Sequence, residues 1–382
     1  MTVQRFSALR SIELGRHGWN ALAKYQNISM VTDLICERHR IPRKHRQNAG
    51  KQAEQIRYCL RQAKEYRDAS LAVTVATKPV LQYYSIMSLA LAEILLKQDG
   101  NSSLDRAREQ HRHHGLNFVQ RSSSLEIELQ KAAAALYAIP SRNKENQPFG
   151  TFELWHRSAR EAPLGGKYVE HRALNHVTGF HLLLQSNDEP LSPLPKSGIS
   201  FLECCRCIPA MSSFLGDHGI PFGFIRTTVQ GEFRDALKRH QITIVIHPTE
   251  SNLLSKFYGS IAFRPSDYEC LEVREYDSGC ALTITYGENF RIVVELPNAI
   301  TIDTKETWFY PEKKPLNEFG YYYTALFILG NYARYYPDRW LQDVERSTPI
   351  GLAAEELAAA ADDRVPHLIL SEFSGTYYAL ER

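Results

Sequence analysis

The sequence predicts an α+β fold: a mainly helical body, built from N- and C-terminal helices packed together, with an antiparallel strand-rich region in the middle. Three observations carry this. Apolar residues recur every three or four positions before about residue 190 and again after 315. Between these parts lie runs rich in β-branched and aromatic residues separated by turn residues, and strands never alternate with helices as they do in parallel-sheet folds. At 382 residues and 43% hydrophobic, the chain is long enough to bury such a core.

The elements follow in order. NAGKQAEQIRYCLRQAKEYRDAS places Ala53, Ile56, Leu60, Ala63 and Tyr66 on one helical stripe. TKPVLQYYSIMSLALAEILLKQDG opens with Pro79 near a first turn, stays almost wholly apolar through Leu96 and stops at Gly100. It is the expected central beam. LEIELQ alternates as a strand does, and GTFELWHRSAR offers Thr151 as the start of a short helix. SNDEPLSPLPKSG, residues 186 to 198, reads as an exposed connection. FGFIRTTVQGEF, HQITIVIH, YECLEVREYD, CALTITYG and FRIVVELPN then predict an antiparallel sheet of four or five strands. Helical period returns in YYYTALFILGNYARYYPDRWLQDVE, where Tyr322, Leu326, Leu329 and Ala333 predict a buried helix with tyrosine hydroxyls at its margins. An alanine-rich turn and PHLILSEF follow. The expected units are a basic N-terminal extension over 1–46, a helical region over 47–190, a strand-rich region over 199–300 and C-terminal helices over 315–382.

Composition narrows the function classes. Lys plus Arg (45) nearly balance Asp plus Glu (43), so any polyanion must meet a local patch. Seven scattered cysteines form no even framework, and neither a leader-like apolar core nor eighteen uninterrupted apolar residues is found. A cytoplasmic protein with no membrane partner is expected. No Walker A, GxGxxG, GxSxG or kinase set is found. PLGGKY at 163–168 lacks the length of a phosphate loop, and no cofactor is implied.

Two stretches are dense in ionisable groups. REQHRHHGL (108–116) carries three imidazoles before a glycine. Ser102 and Asp105 have capping-box spacing, so a helix starting near Ser103 is expected to end at Gly115, with His111, His113 and His114 in its last turn facing the negative end of the dipole. A metal site is disfavoured, because only His111 and His114 share a helical face and CCRC at 204–207 reads as core cysteines. The spacing of Arg106 and His113 also fits the Arg and His pair of HEPN-type ribonucleases. Those groups would share one helix face, and such a site usually needs a dimer.

RHRIPRKHR (38–46) sets five fixed positive charges around Pro42. Arg38, Arg40, Arg43, Lys44 and Arg46 are the candidate contacts to nucleic acid or an acidic protein, with each phosphate contact making binding salt-sensitive. His171, His176 and His181 do not line up on a helix.

Taken together, KPVLQYYSIMSLALAEIL, HHGL, GTFELW, NYARYYPDRW and PHLILSEF, in that order, resemble the YaaC-like family of bacterial proteins from about Gln52 to Phe373. The N-terminal residues and the basic run lie outside that likeness. The resemblance implies a bacterial cytoplasmic protein that works beside other gene products in a larger, defence-type system, and it carries over no catalytic residues. The leading expectation is a non-catalytic interaction protein that binds nucleic acid or a protein partner through the basic patch, with homodimerisation open. The alternative is a metal-independent ribonuclease using Arg106 and His113.

Overall fold

The computed structural model describes residues 5–9, 13–98, 113–121, 128–159, 167–171, 177–182, 191–234, 239–247, 270–276, 279–286, 299–301, 306–309 and 314–380. Its described helices are α1 (Leu14–Ala23), α2 (Ile28–Arg38), α3 (Arg46–Leu71), α4 (Lys78–Lys97), α5 (Leu129–Ala135), α6 (Thr151–Ser158), α7 (Phe201–Arg206), α8 (Ser212–Asp217), α9 (Glu318–Tyr335), α10 (Pro337–Glu345) and α11 (Pro349–Ser374). The fold is α+β, with N- and C-terminal helices forming one helical body. The central beam is α4, which packs against α3, α6, α9 and α11. It is long and apolar enough to cross a membrane by length and composition, yet 72% of its apolar window is buried inside the fold. Protein occupies the surface that lipid would need.

Alpha-9 is buried on every side from Glu318 to Gly330; Tyr321, Tyr322 and Tyr323 are each at most 1% exposed. Their hydroxyls therefore do not reach the margins, as the sequence had suggested. The alanine-rich stretch is not a turn either. It continues as one 26-residue helix, α11, that carries Pro366 inside it and ends at Gly375 in the left-handed region (φ 63). Pro366 cannot donate to the preceding turn. There α1 crosses closely: a Cβ at Gly15 would lie 2.8 Å from the Asp362 carbonyl, and one at Gly18 would lie 2.9 Å from the Pro366 ring. The Gly15 amide donates to Asp363 Oδ1 at 3.2 Å.

Residues 14–46 are consequently no appendage. Trp19, Leu22, Tyr25, Val31 and Ile35 belong to the same core as α4 and α9. This corrects the division at residue 46.

Among the described residues, three sheets accompany the body. Strands β1 (Arg5–Leu9) and the last strand, β13 (Thr376–Leu380), pair in parallel. Strands β2 (Leu116–Gln120), β3 (Leu136–Pro140) and β6 (Ile199–Ser200) form a three-stranded antiparallel sheet. The expected LEIELQ strand is corrected, for Leu129 and Gln130 begin α5 while residues 125–127 lie outside the described ones. The large sheet contains β4 (Lys167–His171), β5 (Val177–Leu182), β7 (Ile225–Arg234), β8 (Arg239–Ile246), β9 (Cys270–Tyr276), β10 (Gly279–Tyr286), β11 (Ala299–Thr301) and β12 (Glu306–Phe309). Its path runs β11-β12-β7-β8-β10-β9, with β5 pairing both β4 and β7. The antiparallel expectation holds for four of the five predicted runs, and FRIVVELPN lies outside the described residues. His171 and His181 sit on the paired strands β4 and β5.

Candidate nucleic-acid interface and the histidine joint

The basic stretch is a displayed turn. Helix α2 ends in a Schellman motif: the Ile41 amide donates to the Cys36 carbonyl at 2.9 Å and the Arg40 amide to the Glu37 carbonyl at 3.3 Å. Ile41 tucks against the core beside Cys36. This geometry puts Arg40 at φ 52, a left-handed position where glycine is the usual occupant and an L-residue costs about 1–2 kcal/mol. Pro42, in extended conformation, then directs the chain into a short 3-10 turn, Arg43–His45, whose residues are all exposed. That turn feeds directly into α3, whose first turn has no acidic residue and whose N-cap, His45, makes no side-chain cap bond. The positive end of a 26-residue helix thus lies beneath a cluster of cations.

The four candidate arginines and one lysine divide. Arg40, Arg43 and Lys44 are exposed. Arg46, also exposed, pairs with Asp33 at 2.5 Å. Arg38 turns inward and donates to the Glu372 carbonyl at 2.9 Å, so it is removed from the contact set. Glu372 continues the inward network: Lys97 meets it at 3.2 Å and Glu93 at 2.5 Å, and the Trp155 indole donates to Glu93 at 2.9 Å. Burial pushes the Glu93 carboxyl up and Glu372 adds to this, with Lys97 and the Trp155 bond opposing.

The histidine stretch has the opposite geometry. His113 and His114 are not helical and lead through Gly115 (φ 87) into β2, while Arg106 and His111 lie outside the described residues. The His113 and His114 carbonyls accept from the Thr151 and Phe152 amides at 2.8 and 3.0 Å, satisfying free donors at the start of α6. A Cβ on Gly150 (φ 110) would come within 2.4 Å of the Gly115 Cα, so the two glycines are required where these backbones cross. The His114 ring is half-buried and its Nδ1 lies 2.8 Å from the Tyr83 hydroxyl. Burial, then Arg334 and His113, push its imidazole pKa down, which disfavours the charged ring. His113 is exposed with its ring edge-on to Phe149. A dipole-facing last turn is therefore corrected: these residues join β2 to α6.

The cysteines of CCRC are buried thiols, pushed up by burial. Among the described residues no three His, Cys, Asp or Glu side chains converge as a metal shell. A second histidine pair was not legible in the sequence, because it joins positions 350 residues apart. His17 Nδ1 lies 3.1 Å from His367 Nε2 with the rings stacked. His367 Nδ1 must donate to the Asp363 carbonyl, so its Nε2 accepts and His17 donates.

The segments of the family likeness meet in this body. HHGL grips GTFELW, whose Trp155 reaches Glu93 of KPVLQYYSIMSLALAEIL; Trp340 of NYARYYPDRW donates to the Ala76 carbonyl at 2.7 Å. The family model described as YaaC-like Protein matches residues 23–373. The chain belongs to the YaaC-like family. The family match begins well before residue 38, so the basic turn lies within the YaaC-like region and not outside it as the sequence had suggested. No curated protein and no solved structure matches the chain.

Proposed function

We propose that this YaaC-like protein is a non-catalytic binding protein whose α2–α3 turn grips the phosphate backbone of a nucleic acid. The observation that carries this reading is the placement of Arg40, Arg43 and Lys44: all three are exposed on a turn fixed by a Schellman motif and a proline, at the uncapped start of α3. A fold under stability pressure alone gains nothing from cations at a positive helix end, nor from an arginine where glycine is favoured. Polyanion contacts give such residues a use. Phosphate positions a protein without reading sequence, so binding is expected to tolerate any base order.

The test is fluorescence anisotropy with mixed-sequence duplex DNA and single-stranded RNA over a sodium chloride series. Three phosphate contacts predict a slope of log affinity against log salt of about −3 on duplex DNA. R40S/R43S/K44S is expected to flatten that slope. Wild-type protein that binds neither oligonucleotide, or a triple variant that binds with an unchanged slope, overturns the reading. Binding to a polyglutamate peptide instead would reassign the turn to an acidic protein partner.

A further inference from the structure

Among the described residues, the large sheet ends at β9. This strand pairs with β10 on one edge, and among the described residues no strand pairs with the other. An open edge offers a row of backbone donors and acceptors to any extended segment, and proteins commonly guard it with charge. The guard here has a pattern. Glu272 and Arg274 lie on one face with side chains 53% and 69% exposed and 3.4 Å apart, and between them on the opposite face Val273 is 50% exposed. Tyr276, on the face of the charges, is 56% exposed.

We propose that a second copy of this chain pairs with this edge, antiparallel and centred on Val273. Opposed residues of an antiparallel pair project to the same face, so a two-fold axis normal to the sheet must pass through a residue position. Few centres exist. Glu272 or Glu275 at the centre faces its own copy, and so does Arg274, which sets like charges together. A centre at Leu271 overlaps only three residues of the strand. Val273 at the centre opposes all seven residues of Cys270–Tyr276, with Val273 facing its copy, Cys270 facing Tyr276 and Leu271 facing Glu275. It also sets Glu272 against Arg274 twice, once on each side of the axis. The charges that repel other registers and other strands thus select this one, and the two sheets become continuous across the axis. This inference is independent of the basic turn.

Sedimentation velocity of the full chain across a concentration series tests it. Wild type is expected to dimerise reversibly. R274E and E272R, each of which places like charges opposite one another twice, are expected to raise the dimer dissociation constant by at least about tenfold. E272R/R274E exchanges the charges and is expected to restore the dimer, and an equimolar mixture of the E272R and R274E chains is expected to form a heterodimer. That rescue separates a lost contact from a lost fold. In a C270S background, V273C is expected to crosslink under mild oxidation, because the residue faces itself, and E272C is not. A wild-type chain that stays monomeric at the highest concentration, a dimer indifferent to R274E, or a dimer that E272R/R274E fails to restore overturns the proposal.

Discussion

RHRIPRKHR and HRHHGL are the two most ionisable stretches of the first third of the chain, and the fold treats them oppositely. In the first, side chains at Arg40, Arg43 and Lys44 are displayed while the backbone closes on itself within the α2 terminus. In the second, the backbone is consumed by the start of α6, Gly115 is buried against Gly150, and the half-buried His114 ring meets the Tyr83 hydroxyl. The difference teaches that density of charge does not mark a site. What matters is whether the carbonyls and rings of the segment are already spoken for. Arg38 makes the point inside the basic stretch itself: two residues before Arg40, it is drawn into the network of Glu372, Lys97 and Glu93.

The strongest way to break this contrast is to strip a charge from the inward side. K97M leaves Glu93 and Glu372 without their shared cation, and the expected loss is about 3–5 kcal/mol by urea unfolding. Stability unchanged by K97M would mean that the network is not closed to water. G150A attacks the joint through the backbone: φ 110 is unsuited to alanine and the new methyl would meet Gly115, for a loss of about 3 kcal/mol.

Acid should act on the inward side as well. His367 is pulled down to about 4, by burial first and by Arg364 and His17 after it, with the Asp363 carbonyl bond opposing. Its pKa in the unfolded chain is about 6.5. The neutral ring thus favours the fold, and its contribution is complete above pH 6.5 and lost as pH falls toward 4. Unfolding free energy measured over that window is expected to drop, and H367Q is expected to flatten the drop; equal slopes in the two chains would remove His367 as the cause.

Changes at the displayed turn sharpen the comparison by moving function and stability apart. R40G relieves a left-handed L-residue and is expected to raise stability by about 1 kcal/mol while weakening salt-sensitive binding. Loss of both would show that Arg40 serves the fold. The smallest effect is expected at His113, whose carbonyl does the joining and whose ring is exposed. H113A is expected to shift stability by no more than about 0.5 kcal/mol, and neither it nor wild type is expected to cut RNA. RNA cleavage by wild type that disappears in H113A would instead favour a ribonuclease pairing Arg106 with His113.

Much of the architecture was legible because it depends on period. The stripe of α3, the apolar run of α4 and the β-branched runs of β7, β8, β9 and β10 each declare an element within a dozen residues. The failures share a cause. LEIELQ alternates, but Leu129 begins a short helix that packs on α7, and the alanine-rich stretch has no breaker strong enough to interrupt α11. Parallel pairing of β1 with β13 and stacking of His17 on His367 join the two ends of the chain, where no local pattern speaks.

By itself, then, the sequence determined the helices α3, α4 and α9 and the strands β7 to β10, that α4 is interior, and that a dense cluster of cations sits near Pro42. Only the tertiary structure decided which of those cations face water, that HHG is a backbone joint, and that α1 and α2 belong to the core. The physical reason is range: helical and strand periods are set by neighbours a few residues away, whereas the burial of a charge depends on partners hundreds of residues distant, as Arg38 and Glu372 are.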